Sequence, residues 1–172
     1  LLDYKTGKQK GVYIGDIGHY GSFATVFDDV LYSVRRGGGV AFSMPSGKEV
    51  WRIEETSRST SAPIVVDGKL IYSGSSGIRV REAATGKMIW QAGHLNASFQ
   101  NAIPVVWDDL LIANGTDYRA FSLKDGKPQW TVKCATDAKR FHRSRRQAMA
   151  GSSTPFIAGE LAWFGHDDTS LR

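Results

Sequence analysis

The amino-acid sequence predicts an all-β fold, and two recurring elements carry that prediction. The first is a Gly-Lys turn whose glycines, at positions 7, 47, 86 and 126, are separated by 40, 39 and 40 residues. The second is a pair of short apolar runs, such as SAPIVVDGKLIYSG at 61–74, whose proline precedes the turn glycine by 22 or 23 residues. Two elements that recur in phase with a period near 40 residues indicate a repeat architecture.

Within each repeat, the paired apolar runs predict a β-hairpin. The runs are rich in β-branched and aromatic residues, and an Asp-Asp, Asp-Gly or Gly-Glu pair divides them, as in tight hairpin turns. The other copies are FATVFDDVLYSV at 23–34, AIPVVWDDLLIANG at 102–115 and STPFIAGELAWFG at 153–165. A third run follows a Gly/Ser/Asp-rich turn, and a fourth follows the Gly-Lys turn. Four short antiparallel strands per 40 residues are typical of a β-propeller blade, so about four blades are expected here.

The Gly-Lys turn and the tryptophan that follows it have separate predicted roles. Glycine permits the positive φ of a tight turn, and the Ser, Thr or Asp before it can hydrogen-bond the turn backbone. An indole that buries about 150–250 Å² can fill the gap between two neighbouring sheets. The first copy has Gly11 where the later copies have the tryptophan. The predicted blade-docking residues are Gly7, Gly47, Trp51, Gly86, Trp90, Gly126 and Trp130.

Three blocks of sequence resemble a known repeat family. AFSMPSGKEVW at 41–51, VREAATGKMIW at 80–90 and AFSLKDGKPQW at 120–130 are similar to the pyrroloquinoline-quinone-type (PQQ-like) propeller repeat. That repeat is usually written Ala-x-Asp-x-x-Thr-Gly-Lys-x-x-Trp, and the copies here are degenerate. Its aspartate position reads Asp3, Ser43, Glu82 and Ser122, and only Thr6 and Thr85 keep the threonine. The resemblance covers almost the whole chain apart from about 135–150.

The resemblance implies one domain whose ring is larger than this chain. The expected repeats are approximately 1–11, 12–51, 52–90, 91–130 and 131–172. Propellers of this family usually have seven or eight blades, whereas 172 residues supply about four. We expect the missing blades to come from a longer protein, with a second chain or a tight four-blade ring as the alternatives.

The repeat is interrupted once, between the last tryptophan and Pro155. Their separation is 25 residues, against 12 and 14 at the earlier copies, so about 11 residues are inserted within about 135–150. The insert contains Lys139, Arg140, Arg143, Arg145 and Arg146, and without these five the basic residues equal the 17 acidic ones. One hypothesis is a loop that binds an anion or a partner through paired guanidinium hydrogen bonds. The alternative is a solvated loop.

Other candidate sites are weaker. His166, Asp167 and Asp168 could suggest a metal site, and RRGGGV at 35–40 a phosphate loop, but both fall where a repeat turn is expected. The single Cys134 cannot form an internal disulfide. One basic loop without a stacking platform does not predict nucleic-acid binding. No run of 18 apolar residues is present, so no membrane span is predicted.

The resemblance implies two classes of function. Quinoprotein alcohol or sugar dehydrogenases hold PQQ in the central funnel on a tryptophan, often beside two adjacent cysteines, with Ca²⁺ on Glu, Asn and Asp side chains. This chain has no Cys-Cys pair. Other members have no cofactor and bind proteins or polysaccharides. Degenerate repeats and one basic insert favour a non-catalytic, periplasmic or secreted binding module without a cofactor. A PQQ- and calcium-dependent dehydrogenase is the alternative.

Overall fold

The computed structural model describes residues 5–9, 23–35, 37–56, 61–74, 77–93, 103–114, 117–133 and 154–164, which contain fourteen strands and no helix. Blade 1 consists of β1 (Phe23–Phe27), β2 (Val30–Arg35), β3 (Gly38–Ser43) and β4 (Glu49–Glu54). Blade 2 consists of β5 (Ile64–Val66), β6 (Lys69–Gly74), β7 (Gly77–Glu82) and β8 (Met88–Ala92). Blade 3 consists of β9 (Val105–Trp107), β10 (Leu110–Asn114), β11 (Asp117–Ser122) and β12 (Pro128–Lys133). A fourth sheet contains β13 (Phe156–Ala158) and β14 (Leu161–Trp163).

In every sheet the strands lie in chain order and pair antiparallel with their neighbours. The predicted all-β, partial propeller fold is therefore confirmed. Such up-and-down connectivity places the β1–β2 and β3–β4 turns at one end of a blade. The β2–β3 turn and the link to the next blade lie at the other end. We call these the hairpin end and the link end.

The inner hairpins turn through residues with positive φ. Asp28 and Asp29 have φ of 46° and 57°, and Asp67 and Gly68 have φ of 49° and 69°. Two such residues in a two-residue loop match the right-handed twist of the strands, and aspartate tolerates this conformation better than most side chains. The register Phe27↔Val30 shows that the predicted pair forms the whole turn.

The Gly-Lys turns repeat the same hydrogen bonds in each blade. The glycine N–H donates to the carbonyl four residues earlier, as from Gly86 to Glu82 at 2.8 Å. The lysine N–H donates to a side-chain oxygen of the residue two positions earlier. These acceptors are Thr6, Ser46, Thr85 and Asp125, at 3.2–3.4 Å. The predicted capping by Thr, Ser or Asp is present in all four turns.

A β-bulge follows each of the three Gly-Lys turns in blades 1 to 3. In blade 1, Phe42 pairs with Glu49, but the next residue, Ala41, pairs with Trp51 because Val50 is extra. Equivalent shifts occur between Val80 and Arg81 and between Ala120 and Phe121. Because neighbouring residues of a strand face opposite ways, one extra residue puts the indole on the sheet face of Ala41. That face meets the next blade.

The two turns at the hairpin end of a blade are hydrogen-bonded to each other. The N–H that follows β3 donates to the inner hairpin of the same blade. The bonds are Met44 N to Asp29 O at 2.7 Å, Ala83 N to Gly68 O at 2.8 Å and Leu123 N to Asp109 O at 2.7 Å. In each blade this bond extends the ladder between the second and third strands by one pair, and it joins the two turns.

Candidate functional site at the blade interfaces

The indole of Trp51 joins blade 1 to blade 2. Its side chain is buried, and its Nε1–H donates to the carbonyl of Ala83 in the next blade at 2.8 Å. The ring lies directly over Gly86, where an added Cβ would come within 2.9 Å of the indole Cε3. A side chain at Gly86 would push the two sheets apart.

Trp90 repeats this arrangement between blades 2 and 3. It is also buried, its Nε1–H donates to Leu123 O at 3.0 Å, and a Cβ on Gly126 would come within 2.6 Å of its Cε3. Gly86 and Gly126 have φ of 74° and 73°. Two constraints therefore require glycine at these positions. One is the positive φ, which the sequence predicts, and the other is the indole of the preceding blade, which the sequence does not predict.

The other predicted docking residues are in less complete surroundings. Trp130 is half-buried against Ile112, Tyr118 and Phe164 between blade 3 and the fourth sheet. Gly7 and Gly47 have φ of 67° and 66°. Nothing lies within 4 Å of a Cβ placed on Gly7.

A buried polar cluster lies beside the Trp51 contact. We call it the clamp, and it consists of Glu55, which follows β4, and of Tyr72, Arg79 and Arg81 from β6 and β7. The side chains of Glu55, Arg79 and Arg81 are only 5–10% exposed. Ile78 and Val80 alternate with the two arginines on β7 and pack in the core shared with blade 3. The arginines therefore face blade 1.

The clamp connects the two blades through ion pairs and hydrogen bonds to a single carboxylate. Arg79 Nε lies 3.2 Å from Glu55 Oε2, and Arg81 Nη2 is ion-paired with Glu55 Oε1. The Tyr72 hydroxyl donates to Glu55 Oε1 at 2.8 Å and accepts from Arg81 Nε at 2.9 Å. Arg81 Nη1 also donates to Gly86 O at 2.7 Å, so the clamp supports the turn under the indole.

The surroundings of the clamp shift two pKa values upward. Burial, followed by the Glu55 carboxylate, raises the pKa of the Tyr72 phenol well above its usual value. Burial acts to lower the pKa of Arg81, but Tyr72 and Glu55 outweigh it and the net shift is upward. Tyr72 is therefore a neutral hydrogen-bond donor, and Glu55 neutralises part of the arginine charge.

Sequence reasoning missed the clamp, although two signals point to it. Arg79 and Arg81 alternate with Ile78 and Val80 in a predicted strand, which puts both arginines on one sheet face. In a propeller, a neighbouring blade covers that face. Glu55 stands four residues after Trp51, close to the docking tryptophan in sequence. A buried strand face with two arginines requires a carboxylate partner.

An exposed apolar surface lies at the hairpin end. Phe27 and Trp107 occupy the same position in β1 and β9, directly before the inner hairpin turn, and are 44% and 47% exposed. Val66 holds this position in blade 2 and is half-buried. Asp28, Asp67 and Asp108 follow these residues and are exposed. We call these six residues the hairpin rim.

Several sequence-predicted candidates lie outside the described residues. These are the five basic residues 139–146, Cys134 and the group 166–168. Of RRGGGV, Gly37 lies in the β2–β3 turn and Gly38 begins β3, with φ of 97° and 143°. A Cβ on Gly38 would meet Ile53 O at 2.0 Å. Those glycines have a backbone role.

In the part of the chain that the structure describes, His, Cys, Asp and Glu side chains form no group of three that could hold a metal ion. Over the same ranges, no helix has the length and apolarity needed to cross a bilayer.

Comparisons with known proteins identify relatives of this architecture. A family model described as outer membrane protein assembly factor BamB matches residues 35–168. No curated protein matched the chain. The crystal structure of BamB from Moraxella catarrhalis aligns with a TM-score of 0.67 and 20% identity, over 83% of this chain and 45% of that chain. The present chain thus spans less than half of that protein.

Two further solved structures share the fold. The computationally designed protein Ika4 aligns with a TM-score of 0.71 and 9% identity, over 95% of this chain and 97% of that chain. A quinohemoprotein alcohol dehydrogenase from Pseudomonas putida HK5 aligns with a TM-score of 0.62 and 15% identity, over 83% of this chain and 28% of that chain. At such identities, these likenesses show the fold alone.

Proposed function

Because the chain belongs to the family described as outer membrane protein assembly factor BamB, whose model matches residues 35–168, we propose that it is part of a non-catalytic propeller that binds a protein partner. The family match is the observation that carries this proposal. The same membership supports a periplasmic location, where outer-membrane proteins are assembled. In the described part of the chain, the buried guanidinium groups of Arg79 and Arg81 are ion-paired with Glu55 in the clamp, which supports a structural role for them.

The hairpin rim is the surface that we assign to partner binding. It exposes two aromatic side chains, Phe27 and Trp107, at equivalent positions of two inner strands. Aromatic residues are enriched in protein interfaces, where a few of them supply most of the binding energy. The neighbouring Asp28, Asp67 and Asp108 carboxylates suit basic groups on the partner. A polysaccharide would also stack on aromatic rings, and the family match favours the protein.

The outward face of the fourth sheet supports the expectation of further blades. Phe156 and Leu161 are 50% and 60% exposed there. Trp163 of the same face is half-buried, whereas its counterparts Tyr32 and Ile71 in blades 1 and 2 are buried by the following blade. An apolar sheet face of this kind requires a cover. We propose that it is covered by another blade of the complete protein, with a second chain as the alternative.

A binding experiment tests the assignment. The longest available form of the protein is immobilised, and purified outer-membrane-protein assembly machinery of Moraxella catarrhalis without its own BamB is passed over it. We expect saturable binding that weakens at least tenfold in a Phe27→Ala/Trp107→Ala variant. Val132→Ala is the matched control, because Val132 is 54% exposed on the outer strand β12. Absence of binding, or equal loss in both variants, would contradict the proposal.

A second experiment addresses the dehydrogenase alternative. The same protein is mixed with PQQ and Ca²⁺, and bound quinone absorbance and dye-linked alcohol oxidation are measured. We expect neither signal above that of a heat-denatured sample. Stoichiometric quinone binding with turnover would replace the scaffold proposal with an enzymatic one.

A further inference from the structure

The interface between blades 1 and 2 contains two arginines on a carboxylate of the other blade. The interface between blades 2 and 3 keeps one arginine, Arg119 at the position of Arg79, and its carboxylate partner is Asp117 of its own strand. The β-bulges align the blades, so that Arg81 corresponds to Phe121 and Tyr72 to Ala113. Phe121 packs against Trp90, with ring centroids 6.4 Å apart. Both interfaces nevertheless contain the same contact between an indole and a glycine turn.

Stability alone does not explain the clamp. Removing several charges from water is costly, and well-packed apolar replacements of buried ion pairs are often equally stable or more stable. Blade 3 shows that this fold can build the same docking contact with Phe121 and Leu123. Buried charges that require a matched partner can instead exclude wrong pairings.

We propose that the clamp is a registry device, which makes the rear face of blade 2 dock only on blade 1. The two guanidinium groups require a carboxylate at the position four residues after the docking tryptophan. Glu55 provides it, whereas the residues four after Trp90 and Trp130 are His94 and Cys134. Docking of blade 2 on another blade would therefore bury two cations without their carboxylate.

The reverse error is also disfavoured. If the rear face of blade 3 docked on blade 1, Phe121 would face Glu55 in place of Arg81. Arg119, at the position of Arg79, is already ion-paired with Asp117. Similar blades within one chain, or in two copies of it, are prone to such exchange during folding. This role concerns assembly of the chain and does not depend on the proposed partner.

The test is a variant in which the clamp is apolar: Glu55→Leu, Tyr72→Phe, Arg79→Met and Arg81→Leu together. The full chain is refolded from urea, and light scattering measures the fraction of species larger than the native one. We expect a melting temperature within about 5 °C of the native protein and at least a fivefold larger non-native fraction. The control is Glu49→Leu/Arg52→Leu, which removes an exposed ion pair from β4 and should leave that fraction unchanged.

A single substitution keeps the proposal testable if the apolar variant does not fold. Glu55→Gln preserves shape, removes the charge and replaces one acceptor oxygen with a donor NH2. Leu111→Ala destabilises the other interface without altering charge. Both variants are refolded at urea concentrations that lie equally far below their own unfolding midpoints. We expect more mispaired species from Glu55→Gln. Equal fractions for these two variants, or a native-like fraction for the apolar clamp, would overturn the registry role.

Discussion

The two complete blade interfaces use one docking contact in different surroundings. Between blades 1 and 2, Trp51 is flanked by the clamp, whereas between blades 2 and 3, Trp90 is flanked by Phe121 and Leu123. In both, an indole N–H donates to a backbone carbonyl and the ring covers a glycine. The comparison shows that the contact repeated at both interfaces is made to the backbone of the next blade. The side chains around it are free to be ionic or apolar, and they give each interface its identity.

Removing an indole should have the largest effect on stability. We expect Trp90→Ala to lower the free energy of unfolding by about 3–5 kcal/mol, because it opens a large cavity in an apolar interface. Trp130→Ala should cost less, since Trp130 is only half-buried. Urea unfolding followed by circular dichroism measures both. Equal stability of Trp90→Ala and the native protein would refute the role of this residue in joining the blades.

The next largest loss of stability is expected from a substitution of the glycine beneath the indole. Gly126→Ala should cost about 2–4 kcal/mol, which combines the strain of a left-handed backbone with overpacking against Trp90. Gly68→Ala is the matched control, because Gly68 has φ of 69° and nothing lies within 4 Å of an added Cβ. It should cost about 1–2 kcal/mol. In a Trp90→Ala background the two glycine substitutions should cost the same, and a persistent difference would show that the indole is not the obstacle.

Within the clamp, Tyr72→Phe isolates one hydroxyl. We expect a loss of about 1–3 kcal/mol, because Arg81 and Glu55 each lose a hydrogen bond in a buried site. The raised pKa of Tyr72 also has a pH consequence. Since the folded pKa exceeds the unfolded value of 10.0, this group stabilises the fold below pH 10 and loses that contribution as the pH rises further. The free energy of unfolding of Tyr72→Phe should therefore fall less than that of the native protein as the pH rises above 10.

A smaller effect is expected at the exposed turn of blade 3. Hydrogen bonds from Lys127 and Ser122 lower the pKa of Asp125 to about 2. Because the folded pKa lies below the unfolded value of 3.8, the stabilising contribution is present above pH 3.8 and is lost as the pH falls towards 2. Chemical-shift titration should show this low value in the native protein and a return towards 3.8 in Lys127→Met. If the pKa of Asp125 is the same in Lys127→Met as in the native protein, the Lys127 side chain does not cause the shift.

The least sensitive region should be the basic insert. Replacing Lys139, Arg140, Arg143, Arg145 and Arg146 with glutamine should change the free energy of unfolding by no more than about 0.5 kcal/mol, as surface substitutions usually do. If the insert is a binding loop, this variant should bind the partner or anion more weakly. Thermal unfolding together with binding to heparin, as a polyanion probe, separates the two effects.

The sequence predicts the repeated parts of this molecule well and the unrepeated parts poorly. The period, the hairpins at Asp28–Asp29 and Asp67–Gly68, and the capped Gly-Lys turns all follow from local chemistry that recurs in each copy. The β-bulge that turns Trp51 towards the next blade was not predicted, because one extra residue in a strand leaves little local signal. The clamp was missed for a different reason: its partners are 17–26 residues apart and meet only after two sheets have docked.

The hydrogen bonds that fasten the two turns at the hairpin end have a consequence for how this chain can vary. Those turns keep one length in every blade, whereas the connections at the opposite end grow from nine residues after β4 to 12 after β8 and 22 after β12. The length of the chain therefore varies at the link end, while the turns whose glycines lie under the indoles keep their length. The chain therefore leaves β12 at Lys133 and enters β13 at Phe156 at the end of the blades opposite the hairpin rim, so a molecule held at the rim would not contact the ends of this longest connection.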